Sequence, residues 1–387
     1  MRRTKHATPF VLVALAAFGA AGAAPRATSQ FVFADSVVAI TPATTPLPSE
    51  AASAGVTKFS FIAYGDTRGP RDSLMPGPNH QLVVDAMLAK IRDLSSGPDR
   101  IRFVLHSGDA VLDGKNAKQL NVGFVPLINR ITTEAGVPFF QGAGNHDVTD
   151  AMTIGVARRD SGLMNYLQSN ARLMPPSGSP RRLNGYPTYA FGFGNTFVLT
   201  FDSNIPNDTV QFAWVKAQLE GLDRRRYKNI VVFTHVPPFS SGPHQREAQA
   251  PVLRDRYMPL FRQQHVRVLF AGHEHFYEHW IERYRDRSGV HRFDEIVSAG
   301  GGAPHYVYSG EPDLSVYLTM NARDSVSLEH IVKPLAPAAA NPFHFLVVHV
   351  DGERIAVDII SAEPAKPFTP YPGLSVVLAD SSPVAPR

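Results

Sequence analysis

The sequence predicts an α/β protein organised around a sheet with parallel strands. Apolar stretches of strand length cover residues 58–64, 101–105 and 137–140, and a helical repeat of apolar side chains covers residues 80–94 between the first two. This alternation of strand and helix favours βαβ units, in which neighbouring strands run parallel. The chain has 387 residues, of which 44% are hydrophobic and 19% are charged, so it has enough apolar material for a large core.

The rest of the chain continues this pattern with one interruption. A helix is expected within residues 117–133, whereas the Gly, Pro and Arg residues of 148–186 indicate an insertion or a lid. Beyond it the pattern predicts an antiparallel pair at 188–193 and 196–201, a helix capped by Asp208, a strand at 229–234, a helix at 247–264, a strand at 266–270, and a hairpin of 343–350 with 354–360. Residues 313–340 are irregular and predict a surface excursion.

The amino terminus has the layout of a secretory signal peptide. Arg2, Arg3 and Lys5 precede an apolar stretch at residues 10–24 that is rich in Ala and Gly. We therefore predict an exported protein, periplasmic or extracellular, without an integral membrane span once the signal is removed. An uncleaved anchor is the alternative, because the stretch could just cross a thin bilayer. The predicted segments are a signal peptide at 1–25, an Ala/Thr/Pro-rich linker or arm at 26–57, the main domain at 58–365 and a tail at 366–387.

The charge pattern does not indicate a polyanionic partner. Removal of the signal peptide would lower the formal net charge from +4 to about +1. The short clusters Arg181-Arg182 and Arg224-Arg225-Arg226 have no interleaved aromatic residues, so we expect no nucleic-acid partner. The chain contains no Cys, which excludes disulfides.

Polar side chains with metal-binding chemistry follow five of the predicted strands. They are Asp66, Asp109, Asn145 with His146, His235, and His273 with His275. The carboxyl ends of parallel strands meet at one edge of a sheet, so these side chains can converge. Carboxylate oxygens and imidazole nitrogens suit zinc, manganese or iron. A carboxylate shared by two such ions would allow them to activate water and to clamp the oxygens of a displacement at phosphorus.

The order of these blocks resembles the calcineurin-like metallophosphoesterase superfamily. The resemblance runs from residue 59 to residue 275 and includes Gly65-Asp66, Gly108-Asp109, Gly144-Asn145-His146-Asp147, His235 and Gly272-His273-Glu274-His275. It implies a four-layer α/β/β/α sandwich of two mixed sheets flanked by helices. It also implies a phosphatase or phosphodiesterase that hydrolyses phosphate mono- or diesters of a small-molecule substrate. The sequence specifies neither that substrate nor the oligomeric state.

The resemblance also implies a role for each block residue. Two divalent or trivalent metal ions, Mn, Fe or Zn, would be bound: one by Asp66 and His275, the other by Asn145, His235 and His273, with Asp109 as the bridge. His146 would lie beside the leaving group, where it would stabilise the transition state or protonate the departing oxygen. Asp147 would orient His146.

One position departs from the family pattern. The first block of the family is usually Asp-x-His, but Arg68 stands in the place of that His and cannot be a metal ligand. The purple acid phosphatase branch also lacks the His but supplies a Tyr three residues after the bridging Asp, where this chain has Leu112. Water or Asp113 could complete the first metal site. Arg68 could bind the substrate phosphate, or it could pair with a nearby carboxylate.

Other polar residues and other functions are weaker candidates. His244 lies in a loop that could overlook the site and is a candidate phosphate contact, although an ordinary exposed His is equally consistent. His106 and Glu274 are expected to support the site without binding metal. A non-catalytic phosphate- or metal-binding protein on the same fold is the main alternative function. A nuclease would need a basic groove with aromatics, and a serine hydrolase would need a nucleophile elbow; neither is present in the sequence.

Overall fold

The computed structural model of the protein describes residues 36–69, 75–148, 160–373 and 375–378, with only the backbone at 160 and 161. The predicted signal peptide lies outside the described residues, and so do parts of the predicted linker, of the predicted insertion and of the predicted tail. The predicted domain boundaries therefore stay predictions. None of the helices formed by the described residues is long and apolar enough to cross a membrane.

The strands follow one another along the chain in this order: β1 (Lys58–Tyr64), β2 (Ile101–His106), β3 (Phe139–Gln141), β4 (Arg182–Leu183), β5 (Thr188–Phe193), β6 (Thr196–Thr200), β7 (Asn229–Phe233), β8 (Val268–Ala271), β9 (Tyr277–Asp286), β10 (Gly289–Ser298), β11 (Ser327–Val332), β12 (His344–Asp351), β13 (Arg354–Ser361) and β14 (Ser375–Leu378).

The helices are α1 (Pro78–Asp93), α2 (Val125–Asn129), α3 (Asn145–Val148), α4 (Asp160–Ser169), α5 (Thr209–Glu220), α6 (Gln249–Val252), α7 (Met258–Gln263) and α8 (Ser315–Met320). Segments with π-helical geometry extend α2 on both sides, at Gln119–Phe124 and Arg130–Glu134, and join α6 to α7 at Leu253–Tyr257. Short 3-10 turns cover Ala322–Asp324 and Ala338–Ala340. Asp208 caps α5, as predicted, by accepting a hydrogen bond from the backbone N–H of Gln211 at 2.7 Å.

The described strands form two mixed sheets. The first has six strands in the order β14-β13-β12-β1-β2-β3, and β1, β2 and β3 are parallel. The second has eight strands in the order β11-β9-β10-β8-β7-β6-β5-β4, and β6, β7, β8 and β10 are parallel. The parallel strands lie along one side of the first sheet and at the centre of the second, and their carboxyl ends provide the platform for a site.

An aromatic layer holds the two sheets together. Phe59 of β1 packs edge to face on Phe193 of β5 with ring centroids 4.9 Å apart, and Phe140 of β3 stacks on Phe191 of β5 at 4.1 Å. These rings belong to one buried cluster that lies between the sheets. Each aromatic pair adds about 0.5–1.5 kcal/mol beyond its buried area. This layer therefore fixes the relative position of the loops that leave the two sheets.

Helices cover the outer faces of both sheets. Strand alternation turns Ile62 and Tyr64 of β1 away from the aromatic layer, into a second cluster with α1 and α2. On the other sheet, Val232 of β7 lies in a third cluster with the apolar faces of α5 and α7. The result is the predicted four-layer α/β/β/α sandwich, and the fold prediction is confirmed.

The residues before β1 pack on this sandwich. Val37 and Ile40 are buried in the cluster beneath α1 and α2. Glu50 accepts two hydrogen bonds from the guanidinium of Arg181, at 2.9 and 3.0 Å, and one from the hydroxyl of Tyr227 at 2.7 Å. Part of the arginine cluster identified in the sequence thus binds a carboxylate of the same chain.

The strand predictions failed in several places. Strands β4 and β14 form in segments that were predicted to be an insertion and a tail. The long antiparallel hairpin of β9 and β10 was not predicted, because most of β9 and the last six residues of β10 are buried on both faces and therefore show no alternation. Residues 313–340 were predicted to be an irregular excursion, and this was wrong, since α8 and β11 form there and β11 pairs with β9. The predicted strands and hairpin elsewhere are present within one or two residues of the expected bounds.

Candidate metal centre

Loops at the carboxyl ends of five parallel strands bring the predicted ligands together. Asp66 follows β1, Asp109 follows β2, and Asn145 begins α3 just after β3. His235 follows β7, and His273 and His275 follow β8. Asp66, Asp109 and His235 have ligand atoms within 4.8 Å of one another and are all buried. The other predicted ligands make direct contacts with these three, so all six lie in one site.

The backbone is strained where it presents these side chains. Asp66, Asp109 and His273 have left-handed φ angles of 60°, 57° and 75°, which cost on the order of 1–3 kcal/mol each for residues with a side chain. Two glycines of the motifs are required because other atoms of the site lie too close to leave room for a side chain. A Cβ at Gly144 would lie 2.2 Å from the backbone N of Asp109, and one at Gly272 would lie 2.3 Å from a carboxylate oxygen of Asp66.

One half of the site converges on Nε2 of His235. This nitrogen lies 2.9 Å from Oδ1 of Asn145, 3.1 Å from Nδ1 of His273 and 3.3 Å from Oδ1 of Asp109. We call these four side chains the Asn145 half. They come from four different strand ends, so this convergence requires both sheets.

The tautomers of the two histidines follow from their outward contacts. Nδ1 of His235 lies 3.2 Å from the carbonyl oxygen of Ser107, so it carries the proton and Nε2 carries a lone pair. Nε2 of His273 lies 3.0 Å from a carboxylate oxygen of Glu247, which places the second lone pair on Nδ1. The two inner nitrogens therefore face each other without a hydrogen between them.

This arrangement fits a metal cation. The two ring nitrogens and the carboxylate and amide oxygens all turn lone pairs toward one place, which is unfavourable unless a positive charge lies among them. Two imidazoles with a carboxylate and an amide oxygen are a suitable ligand set for zinc, manganese or iron. Burial lowers the pKa of His235 to about 3, so this ligand is unprotonated at neutral pH.

Neighbouring groups favour the ionised form of Asp109 in the Asn145 half and of Glu247 beside it. Burial opposes ionisation of Asp109, but the neighbouring His235, His146 and Arg68 hold its pKa below the ordinary value. Burial likewise opposes ionisation of Glu247, whereas its hydrogen bond with His273 holds its pKa below the ordinary value.

The other half of the site contains a guanidinium. Nε of Arg68 lies 3.4 Å from Oδ2 of Asp109, and Nη2 lies 3.4 Å from Nε2 of His275 and donates to the hydroxyl of Tyr306 at 2.8 Å. Nε2 of His275 is also 3.5 Å from Oδ1 of Asp66. We call Asp66, His275, Arg68 and Tyr306 the Arg68 half. Of the two alternatives predicted for Arg68, pairing with a nearby carboxylate is the one that the structure contains.

Two groups of the Arg68 half have displaced pKa values. Burial, together with the charge of Asp109, raises the pKa of Asp66 well above the ordinary value, against two hydrogen bonds of 3.0 Å from the backbone N–H of His273. Burial and the charge of Arg68 lower the pKa of His275 to about 2. His275 donates from Nδ1 to the carbonyl of Pro304 at 2.7 Å, so its neutral Nε2 accepts from Arg68.

His146 lies at the edge of the site with its ring fixed by the backbone. Its Nδ1 donates to the carbonyl oxygen of Leu112 at 2.7 Å, and its backbone N–H donates to Oδ1 of Asp109 at 3.0 Å. Nε2 lies 4.0 Å from Oδ2 of Asp109. Leu112 stands where the purple acid phosphatase branch has a tyrosine, and its backbone carbonyl fixes the ring of His146.

The expectation that Asp147 orients His146 is wrong. Both carboxylate oxygens of Asp147 accept hydrogen bonds of 2.9 Å from the backbone N–H groups of Asp109, Ala110 and Gly144. Asp147 thus clamps the Asp109 loop to the Asn145 loop, and the carbonyl of Leu112 orients His146. Burial and the charge of Asp109 raise the pKa of Asp147 to about 7, although the three backbone donors oppose this shift.

The secondary candidates lie around the centre. The ring of His244 is 4.5 Å from that of His273, and its Nδ1 lies 3.3 Å from a carboxylate oxygen of the buried Glu274. Burial opposes protonation of His244, but Glu274 raises its pKa above the ordinary value. His106 is fully buried beneath the Asp109 loop, where its Nδ1 accepts from the backbone N–H of Gly108 at 3.3 Å. Asp113 accepts from the backbone N–H of Lys115 within its own loop.

Two residues of the centre were missed in the sequence. Glu247 lies in a loop before α6, and Tyr306 follows the Gly-rich stretch 300–302; its ring stacks on that of His275 with centroids 3.9 Å apart. Neither belongs to a motif block. Only their placement near loops expected at the site could have identified them.

A second cluster of potential ligands lies on the surface. His265, Asp286 and His291 bring three ligand atoms within 4.8 Å of one another, and none of the three is buried. This cluster could contribute to measured metal content and needs a control.

Comparison with known proteins agrees with these observations. The sequence model of calcineurin-like phosphoesterases matches residues 77–277. Purple acid phosphatase 21 of Arabidopsis thaliana is 28% identical over 155 residues, which cover 39% of this chain and 33% of the relative. The Fe(3+)-Zn(2+) purple acid phosphatase 12 of the same plant is 28% identical over 145 residues, which cover 36% of this chain and 29% of the relative. The chain therefore matches about a third of the length of these relatives.

A solved structure has a similar fold. Purple acid phosphatase PPD1 from yellow lupin (Lupinus luteus) seeds superposes with a TM-score of 0.61 at 16% identity, covering 86% of this chain and 55% of that protein. The family match covers just over half of the chain and includes the loops that carry Asp109, Asn145, His235, His273 and His275. The chain therefore belongs to the calcineurin-like phosphoesterase family.

Proposed function

We propose that this protein is an exported, metal-dependent phosphoesterase that hydrolyses phosphate mono- or diesters. The observation that carries the proposal is the convergence of lone pairs in the Asn145 half, centred on Nε2 of His235. A cation bound there would supply Lewis acidity toward water and toward a phosphoryl oxygen. Family membership supports phosphate esters as the substrate class.

His146 is the proposed proton donor to the leaving group. The carbonyl of Leu112 keeps one proton on Nδ1, so His146 would donate from its imidazolium form, in which Nε2 carries the second proton and gives it to the departing oxygen. The backbone hydrogen bond from His146 to Asp109 couples the position of this ring to the ligand loop. The Asp147 clamp supports both residues by holding the Asp109 and Asn145 loops together.

Arg68 and His244 remain candidate contacts for the substrate phosphate. Both lie beside the ligand histidines, Arg68 at His275 and His244 at His273. A guanidinium and an imidazole with a raised pKa both favour an anion.

The proposal also covers the identity of the metal and the export of the protein. The Fe(3+)-Zn(2+) composition in the name of one relative and the mixed nitrogen and oxygen ligand set favour iron, zinc or manganese. Export rests on the sequence pattern of residues 2–25, which lie outside the described residues.

Turnover of aryl phosphate mono- and diesters tests the proposal. We expect dialysis against a strong chelator to abolish hydrolysis, and Mn²⁺, Zn²⁺ or Fe²⁺ to restore it. A His265→Gln, His291→Gln variant, which removes the surface cluster, should behave like the unchanged protein. Undiminished turnover by metal-free protein contradicts the proposal. Metal binding without turnover of either ester class supports instead a non-catalytic binding protein.

A further inference from the structure

We propose that the guanidinium of Arg68 takes the place of the first metal ion, so that the centre holds one metal, in the Asn145 half. The inference rests on the proposed function in that it concerns the same site. It departs from the two-metal arrangement that the family resemblance implies, and it is carried by the contacts of the Arg68 half.

The guanidinium occupies the space that a first metal would need. Its Nε faces Oδ2 of Asp109 at 3.4 Å, and its Nη2 faces Nε2 of His275 at 3.4 Å. These are the inward-facing atoms of the implied bridging ligand and of one implied ligand to the first metal. A cation between Asp109 and His275 would displace the guanidinium from both.

Arg68 is built into this position. Its side chain is 12% exposed, and Nη2 donates to the hydroxyl of Tyr306 at 2.8 Å. The ring of Tyr306 stacks on His275 with an interplanar angle of 11°, so one aromatic residue positions both partners. Three contacts to three different loops hold the guanidinium, which makes it a fixed part of the centre.

The charge of the Arg68 half also disfavours a second cation. Arg68 stays protonated under all ordinary conditions, so it is a permanent positive charge beside Asp66 and Asp109. A divalent ion at the same place would meet a like charge in a buried setting, where screening is weak. The first metal would also lack a ligand. Leu112 could offer only its carbonyl oxygen, and this oxygen already accepts a hydrogen bond from Nδ1 of His146.

The two halves therefore fit different cations. The Asn145 half has inward atoms without hydrogens and fits a metal. In the Arg68 half, Nη2 of Arg68 already donates toward Nε2 of His275, and the guanidinium is paired with the carboxylate of Asp109. In this arrangement Asp109 joins a metal and a guanidinium rather than two metals. The fixed positive charge would then stand beside the substrate phosphate without being exchangeable.

Metal stoichiometry and spin coupling test the inference directly. Metal-free full-length protein is titrated with Mn²⁺, bound metal is counted, and electron paramagnetic resonance reports whether the bound ions are isolated or exchange-coupled. We expect about one equivalent per chain in the centre and the spectrum of isolated Mn²⁺. The His265→Gln, His291→Gln variant gives the count without the surface cluster.

Arg68→His tests whether a second metal site can be created. It restores an imidazole in place of the guanidinium, so we expect a second equivalent and an exchange-coupled spectrum. Arg68→Ala opens the same space without adding a ligand and serves as the second variant if Arg68→His does not fold. We expect it to take up a second equivalent more weakly.

Two equivalents with a coupled spectrum in the unchanged protein would overturn the inference, and so would an unchanged single equivalent in folded Arg68→His and Arg68→Ala. These results are distinct from failure of the proposed function. A protein that binds two coupled ions and hydrolyses esters refutes only the inference. A protein that binds one isolated ion without any hydrolysis refutes only the proposed function.

Discussion

In the Asn145 half of the centre, inward-facing nitrogen and oxygen atoms approach to 2.9–3.3 Å with no hydrogen between them, whereas in the Arg68 half a guanidinium donates into the equivalent space. Both halves use histidines from the same short motif, His273 and His275. The outward contacts of these histidines are also alike, since each has its outer nitrogen fixed by an oxygen, of Glu247 and of Pro304 respectively.

This difference is the basis of our inference that the motif alone does not determine how many metals are bound. The same His-x-His segment presents one nitrogen to a set of lone pairs and the other to an N–H donor. The residue that faces each histidine determines which cation fits. Asn145 presents an acceptor oxygen in one half, and Arg68 presents a permanent cation in the other. In our inference, the residue type at position 68 on the loop after β1 thus determines whether this half of the family site takes a metal.

The largest effect should come from Asp109, which belongs to both halves. Asp109→Asn removes the charge that faces His235 and Arg68, so we expect metal affinity and turnover to fall together, turnover by roughly a thousandfold. Steady-state kinetics with metal analysis of the same sample measures this. Near-normal metal content and rate in folded Asp109→Asn would mean that Asp109 is needed neither for metal binding nor for hydrolysis.

His146→Gln should separate catalysis from metal binding. The ring contacts Leu112 and lies beside Asp109 rather than among the inward lone pairs, so bound metal should be unchanged while turnover falls about a hundredfold. The loss should be smaller with a nitrophenyl ester, whose leaving group needs no proton. Loss of metal with a retained rate per bound metal would place His146 among the ligands.

Glu247→Gln tests metal affinity in the Asn145 half alone. Glu247 polarises His273, and removal of such a carboxylate costs about 10–100-fold in metal affinity. We expect this weakening in a metal titration, with turnover recovered at saturating metal. Glu220→Gln, at an exposed carboxylate that pairs with Lys216, is the matched control and should change neither quantity. Equal affinities in Glu247→Gln and Glu220→Gln would contradict the assigned role.

Tyr306→Phe probes the Arg68 side and should have the smallest effect. The ring stack on His275 is kept, but Arg68 loses the hydroxyl that accepts from Nη2. A partly buried hydrogen bond contributes about 0.5–1.5 kcal/mol, so KM and the inhibition constant for inorganic phosphate should rise up to about tenfold. Metal affinity should stay unchanged. A change in metal affinity instead would place a metal ligand in this half.

The sequence predicted most of this centre, for a physical reason. Each ligand stands at the end of an apolar strand, and parallel strands bring their carboxyl ends together, so Asp66, Asp109, Asn145 and His235 could be identified without coordinates. The four-layer fold followed from the family resemblance, and the aromatic layer and helix-covered faces confirm it.

The parts that could not be predicted depend on side-chain direction. The role of Asp147 was misassigned because sequence adjacency to His146 suggested contact, whereas the α3 turn points the carboxylate at backbone N–H groups. Glu247 and Tyr306 come from irregular segments whose position relative to the strands follows from tertiary packing. The charged strands β9 and β10 were missed because burial on both faces comes from neighbouring elements rather than from their own alternation.

The most direct test of the asymmetry between the two halves is activity as a function of metal added to metal-free protein. Mn²⁺ or Zn²⁺ is titrated at a protein concentration well above the dissociation constant, in the His265→Gln, His291→Gln background. We predict that hydrolysis of an aryl phosphate rises linearly and levels off at about one equivalent per chain, because only the Asn145 half needs a metal. A rise that continues to two equivalents, or activity that does not depend on metal, would contradict the account.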